Sequence, residues 1–446
     1  MKKEMFHPSK VTSLLSPLGG SWKEAFSLMR EDKLYSAMYI LGTALAIAFT
    51  MLIAEVYYIK VADIAPEVNR SKTYYLESMQ LRENPNQLPY PKLADFRDLF
   101  QKMQTPDCVT AVMWYWSQNG DYIKLADGRH DRAVKLMVTE PGFFRFFQFR
   151  FTEGAPFTQD DFDSGRRNVV ITGEIRDLLF GKDGKAVGNT INVNYLDYRI
   201  CGVVETPSQL TERCVADIYI PAAADGLLRN WGAGYENQSC RVFFSVPSAK
   251  REAFMQEIKE VEARYNSMHT DKPVDMTTSI NSHYSKVWNE LGSVFDAWSD
   301  DLIWYVLSGM LLLLIVPALN LSGMVASRME RRLPEMAIRK AFGAKRRTLL
   351  RQVVMENLML TLIGGFVGLC LAWTALYGWR DWLFYTFSNN ANLYGVVPIL
   401  KGEMFFGPVI FLIALLICSV LNLLAATLPA WLSLKKPIVE SMMIKK

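Results

Sequence analysis

The 446-residue chain lacks the short signatures of a self-sufficient nucleotide-driven machine. It contains no G-x-x-x-x-G-K-[ST] run, and the nearest approach, GKDGK at 181–185, has the wrong spacing. If ATP drives this protein, another polypeptide must bind it. Histidine is scarce: the four residues at 7, 130, 269 and 283 form no HExxH or other metal-ligand spacing. No G-x-S-x-G elbow is present. Asp160, Asp161 and Asp163 before Gly165 resemble the start of a calcium loop, but the later ligands and closing Glu are missing, so the stretch reads as a solvated turn. The formal net charge is only +4 and there is no internal repeat. No cofactor, metal, catalytic residue or nucleic-acid partner is expected.

What is abundant is apolar sequence in blocks. Four stretches, 34–54, 302–327, 357–379 and 404–434, exceed the ~20 apolar residues that a spanning helix needs. Lysine and arginine flank them unevenly. Nine Lys or Arg (328, 331, 332, 339, 340, 345, 346, 347, 351) lie between the second and third blocks, against Glu330 and Glu335. Lys2, Lys3, Lys10, Lys23, Arg30 and Lys33 precede the first block, and Lys435, Lys436, Lys445 and Lys446 follow the fourth. By the positive-inside rule all three regions are cytoplasmic. The N-terminal segment lacks the short apolar region and cleavage site of a signal peptide, so the first block is expected to be an uncleaved anchor.

The expected architecture is a membrane protein of four transmembrane α-helices, with a large α+β extracytoplasmic domain between spans one and two. Residues 1–33 form a cytoplasmic N-terminus, in which 21–35 has the helical apolar spacing (Trp22, Ala25, Phe26, Met29) of an amphipathic interfacial elbow. Span one and a stalk occupy 34–60, with the helix continuing towards Pro66. The external domain covers 61–300 and span two 301–327. A cytoplasmic coupling loop follows at 328–351, then span three at 352–379, a short external loop at 380–403, span four at 404–434 and a cytoplasmic tail at 435–446.

In the external domain, CVTAVMWYW, NTINVNYLDYRICGVVET and CVADIYIPA carry strand signals. Residues 87–103 and 248–266 carry helical ones, and 285–300 reads as a second stalk helix. Trp114, Tyr115 and Trp116 are candidate ligand contacts or alternating core positions. Cys370 and Cys418 lie in spans as packing residues. Cys108, Cys201, Cys214 and Cys240 allow three pairings, among them a Cys201–Cys214 bridge. Glu55 sits near the outer end of span one, Pro317 is placed to kink span two, and Gly364, Gly365 and Gly368 let span three pack closely, within the subunit or across a dimer.

The basic segment is ordered as well as charged. Ile338, Ala341 and Phe342 form an i, i+3, i+4 apolar stripe, and Gly343 can close a short helix in the left-handed conformation. PEMAIRKAFGA at 334–344 resembles the EIGIRKALGA element of the MacB/FtsX/LolC superfamily of ABC-transporter permeases. Glu335, Ile338, Arg339, Lys340, Ala341, Gly343 and Ala344 match it; Pro334 and Ala337 depart from it. Residues 168–206 are similar to the VVLSEKLARRLFG…PVGKTI…VVGVV segment of the MacB-type periplasmic core. Residues 140–157 are similar to that domain's FF…FxxxxG run, and DIYIPA to its later strand.

The resemblance implies a non-enzymatic permease of the inner membrane, whose segment Glu335–Ala344 couples to a cytoplasmic ABC ATPase. It also implies a second permease subunit in a homo- or heterodimer, surrounding membrane lipid, and a mechanotransmission mechanism for efflux. A periplasmic adaptor or outer-membrane channel is a further candidate partner. The alternative is an FtsX-like protein that controls a cell-wall hydrolase.

Overall fold

The computed structural model describes residues 33–113, 120–125, 131–182, 184–208, 211–224, 238–294, 299–387 and 408–435. Its α-helices are α1 (Lys33–Val61), α2 (Leu93–Asp98), α3 (Phe143–Phe146), α4 (Gln159–Asp163), α5 (Gly173–Phe180), α6 (Arg251–Met268), α7 (His283–Val294), α8 (Ser299–Ala341), α9 (Arg346–Phe387) and α10 (Pro408–Lys435). The strands that matter below are β1 (Thr73–Leu76), β2 (Cys108–Met113), β3 (Leu136–Thr139), β4 (Asn168–Thr172), β5 (Thr190–Val193), β6 (Leu196–Val204), β7 (Ile218–Pro221) and β8 (Cys240–Ser245). The chain divides into a helical unit, with described residues in Met1–Tyr58, Asp300–Leu383 and Gly402–Lys446, and an α+β unit in which Ile59–Ser299 dominates.

The α+β unit is built on a 12-stranded mixed sheet. Its centre runs β1, β8, β2, β3, β7, β4, β6, β5, with β7 parallel to β3 and β6 parallel to β4. Alternation along each strand makes two cores. Val242 and Phe244 of β8, Ile218 and Ile220 of β7, and Val169 and Ile171 of β4 join one cluster with Phe96, Phe254 and Ile258 from the helices. Their neighbours Phe243, Tyr219 and Val170 belong to the other, where Phe143, Phe144, Phe146 and Phe147 pack edge-on among themselves. The FF…F run therefore supplies an aromatic core, not a ligand surface.

Several sequence expectations shift. The strand signal of NTINVNYLDYRICGVVET resolves into a hairpin, because Asn194 (φ 49°) and Tyr195 (φ 66°) form a two-residue turn with Leu196 facing Val193. The helix expected at 87–103 shrinks to α2 and a following 3-10 turn, since Pro89 and Pro91 precede it. The extension of span one stops at Val61, before Pro66. Arg70 caps it there, donating to the carbonyls of Ile59 at 3.0 Å and Ala62 at 2.9 Å, which satisfies groups that another helical turn would have used. The acidic stretch at 160–163 is α4, where Asp161 accepts from the Thr158 backbone N–H at 3.0 Å in a capping box. All six cysteines are free, so neither the Cys201–Cys214 bridge nor another pairing is present. Cys201 instead donates to the Val169 carbonyl at 3.3 Å.

In the helical unit, Lys33–Val61, Arg346–Trp379 and Phe411–Leu432 are long and apolar enough to cross a membrane; α8 carries a shorter apolar stretch, Trp304–Leu313, among the described residues. Tyr39, Val325, Met329, Met336, Leu349, Val353, Leu360, Ala426 and Ala430 share one cluster, so α1, α8, α9 and α10 all pack together. Leu412, Leu416, Leu424 and Leu428 lie on the exposed face of α10, as lipid-facing side chains do. Helix α9 continues to Phe387, past the expected end of span three. Residues 21–32 of the elbow, Trp114, Tyr115, Trp116, 388–403 of the external loop and 436–446 of the tail lie outside the described residues.

Candidate functional site

The segment 328–351 is helix on both sides of a single turn, not a loop. Helix α8 runs unbroken to Ala341 and α9 begins at Arg346. The apolar stripe thus sits on the last turns of a 43-residue helix, where a separate short helix was expected. The stop has a local cause. Gly343 adopts φ +91°, its N–H donates to the Lys340 carbonyl at 3.0 Å, and the Ala344 N–H reaches back to Arg339 at 3.0 Å. That pair of bonds is the Schellman pattern, which needs a residue tolerant of left-handed geometry.

The tip displays two kinds of group. Ile338 is 50 % and Phe342 88 % exposed, and Ala341 is exposed beside them. Met336, on the opposite side of the helix, and Ala337, at the edge of the stripe, are buried. Arg339 pairs with Glu335 at 2.7 Å and donates to Gln352 of α9 at 3.1 Å, so the charged rim links the two helices. Lys340 and Ala344 are half-buried. Exposed surface ion pairs contribute little stability; the geometry orients the rim more than it strengthens the fold.

Not all the basic residues decorate this surface. Arg328 and Arg332 turn inward and share Glu356 of α9, with Arg332 at 3.2 Å and Arg328 on the other carboxylate oxygen. The Arg328 guanidinium also lies 4.3 Å from the Tyr35 ring centroid. Next to this cluster, Tyr39 meets Thr361 at 3.1 Å, and Asn422 donates to Thr43 at 3.3 Å and to Thr361 at 3.4 Å. Sequence reading missed this ladder. Its signal was the polar and ionisable residues at the mouth of an otherwise apolar run, Glu356, Asn357 and Thr361, which inside a membrane require partners.

Gly364, Gly365 and Gly368 of α9 face two helices of the same chain. A Cβ on Gly364 would lie 2.9 Å from the Thr43 Cβ, and one on Gly368 would lie 2.7 Å from the Ala44 carbonyl oxygen. Gly365 faces Leu415 of α10 and Ile47 of α1. Of the two arrangements the sequence allowed, these contacts are within the subunit.

In the α+β unit, a cleft of about 370 Å³ is lined by Asp107, Cys108, Glu140, Arg145 and neighbours. Glu140 is buried, and burial raises its pKa. Its oxygens accept from the Thr110 hydroxyl at 2.5 Å and the Gly142 N–H at 2.7 Å. The carboxyl is thus engaged in holding the aromatic turn. Among the described residues no group of three or more His, Cys, Asp or Glu could hold a metal ion.

Apolar helices packed through glycine and polar pairs, with a mixed α+β domain inserted after the first of them, define a membrane permease carrying a periplasmic domain. The MacB-like periplasmic core domain matches residues 36–261, and the FtsX-like permease C-terminal domain matches 307–438. The chain belongs to this bacterial family of MacB/FtsX-like ABC transporter permeases.

Among relatives, it is 23 % identical over 268 residues to the uncharacterized ABC transporter permease YvrN of Bacillus subtilis, covering 57 % of this chain and 60 % of that one. It is 21 % identical over 370 residues to macrolide export ATP-binding/permease protein MacB 1 of Yersinia pestis, covering 80 % of this chain and 54 % of that one. The chain therefore spans little more than half the length of these curated relatives. The periplasmic region of MacB from Actinobacillus actinomycetemcomitans aligns with 48 % of this chain and 90 % of its own, at 16 % identity and a TM-score of 0.34.

Proposed function

We propose that this chain is the permease subunit of a MacB-like exporter, coupling ATP hydrolysis on a separate cytoplasmic ATPase to movements of its periplasmic domain. The observation that carries the reading is the exposed tip where α8 turns into α9. Ile338, Ala341 and Phe342 present apolar surface on a turn whose charged rim is oriented by Glu335, Arg339 and Gln352. An apolar stripe at helical spacing with a cationic rim suits the groove of a partner protein. The Yersinia relative's name joins ATP binding and permease in one protein; here the nucleotide-binding part is taken to be another subunit.

In this reading α8 is the second of four spans. The distribution of Lys and Arg supports a cytoplasmic position for the tip and both termini. A second permease subunit, identical or homologous, completes the transporter within the lipid. Force from the ATPase enters at Glu335–Ala344 and leaves through the spans to the periplasmic domain, so that the substrate is moved outside the membrane.

The test is gentle affinity purification from native membranes, with mass spectrometry of what accompanies the chain. A co-purifying ABC ATPase is the expected result, and a periplasmic adaptor or outer-membrane channel beside it would specify export across the envelope. An ATPase together with a cell-wall hydrolase would replace export by the regulatory reading. No ATPase, even after cross-linking through 328–351, would overturn both.

A further inference from the structure

The α+β unit receives α1 and gives rise to α7, and a set of buried polar bonds joins these two segments. The ring of His283, the first residue of α7, bridges them directly. Its Nε2 donates to the Lys60 carbonyl in the last turn of α1 at 2.8 Å, which leaves Nδ1 to accept from the Tyr75 hydroxyl at 2.6 Å. His283 and Tyr75 are almost fully buried.

A second route runs alongside. Arg70, which caps the end of α1, pairs with Glu67 at 2.7 Å. The other oxygen of Glu67 accepts from the Arg213 backbone N–H at 2.9 Å. The Arg213 side chain pairs with Glu290 of α7 and, at 3.2 Å, with Glu77; Lys286 of α7 binds the second oxygen of Glu77 at 2.5 Å. Lys60 itself pairs with Glu212 at 2.8 Å. Each end of the connection is held by charge-assisted bonds in a largely buried setting, where such bonds are short and directional.

We propose that His283, with Arg70 and Arg213 beside it, is the joint that makes α7 follow the end of α1. The inference rests on the permease reading, in which α1 brings motion from the membrane. These are positioning residues: none needs to touch a substrate. A displacement of Lys60 pulls the imidazole, and the imidazole begins the first turn of α7. The parallel route through Glu67 and Arg213 resists shear between the two segments. Other parts of the domain can then stay still while the two segments move as one body.

The experiment is hydrogen–deuterium exchange on the full chain in lipid nanodiscs, with no ATPase present. His283→Leu removes both bonds. The expected result is roughly tenfold faster exchange at the amides of 283–290 and also at 59–62, with β4 and β6 unchanged, since local opening reports the bonds that hold a segment. His283→Gln can still donate to Lys60 and accept from Tyr75, and should keep both segments slow. Faster exchange confined to 283–290 would make His283 an ordinary helix-start residue and overturn the joint. So would wild-type exchange in His283→Leu.

If His283→Leu does not fold, Arg213→Met cuts the parallel route, since that one side chain carries both the Glu290 and the Glu77 link to α7. It should speed both segments, and an effect on neither or on one alone is again contrary. Co-purification of an ATPase is independent of these outcomes, so a failed joint and a failed permease assignment are told apart.

Discussion

Arg332 of α8 lies 3.2 Å from Glu356 of α9, and that one carboxylate also holds Arg328. Glu356 and Arg328 are both at least nine-tenths buried, so the shared carboxylate compensates the two cations away from bulk water. Replacing Glu356 by Leu would remove the carboxylate that both guanidinium groups share. We expect a loss of about 3–5 kcal/mol, the range for breaking a buried pair from one side. Thermal melting of the purified chain in detergent would check this. A change under about 1 kcal/mol would mean that water reaches the cluster and compensates it.

The glycines of α9 should differ among themselves. At Gly368 an added methyl meets the Ala44 carbonyl, which is backbone and cannot step aside without moving α1. At Gly365 the obstacle is the end of the Leu415 side chain, which can change rotamer. Gly368→Ala should therefore cost about 1–3 kcal/mol and Gly365→Ala distinctly less. Melting temperatures of the two variants in the same detergent decide it, and equal costs would contradict the contact geometry.

The sequence made the helices and many strands legible, because both depend on local pattern. Leu412, Leu416 and Leu424 belong to an apolar run that any hydropathy reading finds, and Gly343 announces the end of α8. What stayed hidden depends on partners far along the chain. Asp161 read as part of a solvated turn, and only its bond to Thr158 shows it to be a helix cap. Glu356 stood outside the counted loop, so its claim on Arg328 and Arg332 was invisible. His283 was one of four scattered histidines, because Lys60 and Tyr75 approach it only through the fold.

At the tip, the exposed groups are expected to act on a partner and not on the fold. Phe342 is 88 % exposed, so Phe342→Asp removes little buried area and should shift stability by under about 0.5 kcal/mol. It should still reduce recovery of the co-purifying ATPase about tenfold or more, as loss of a central aromatic anchor does. Arg339→Glu should also weaken ATPase coupling while leaving membrane insertion intact, because eight of the nine loop cations remain. Quantitative mass spectrometry of the purified complexes reads both. Full ATPase recovery with Phe342→Asp would remove the tip from the interface.

Acid should weaken the α+β unit in two separable stages. Burial lowers the His283 pKa from 6.5 to about 4, so the folded state prefers the neutral ring while the unfolded chain takes up a proton earlier. The contribution of that preference is complete above pH 6.5 and is lost as pH falls from 6.5 through about 4. A shift of this size corresponds to roughly 3 kcal/mol. Glu77 behaves oppositely in charge: burial works to raise its pKa, but Arg213 and Lys286 outweigh burial and hold it below 4.5. Its stabilisation is present above that value and disappears only at lower pH. Melting of the full chain across pH 7 to 3 should therefore show a gradual decline first and a steeper one afterwards. His283→Gln cannot titrate and should flatten the first stage while leaving the second. If the variant keeps the wild-type slope between pH 6.5 and 4.5, another group sets the early decline and the imidazole is not held neutral by its burial.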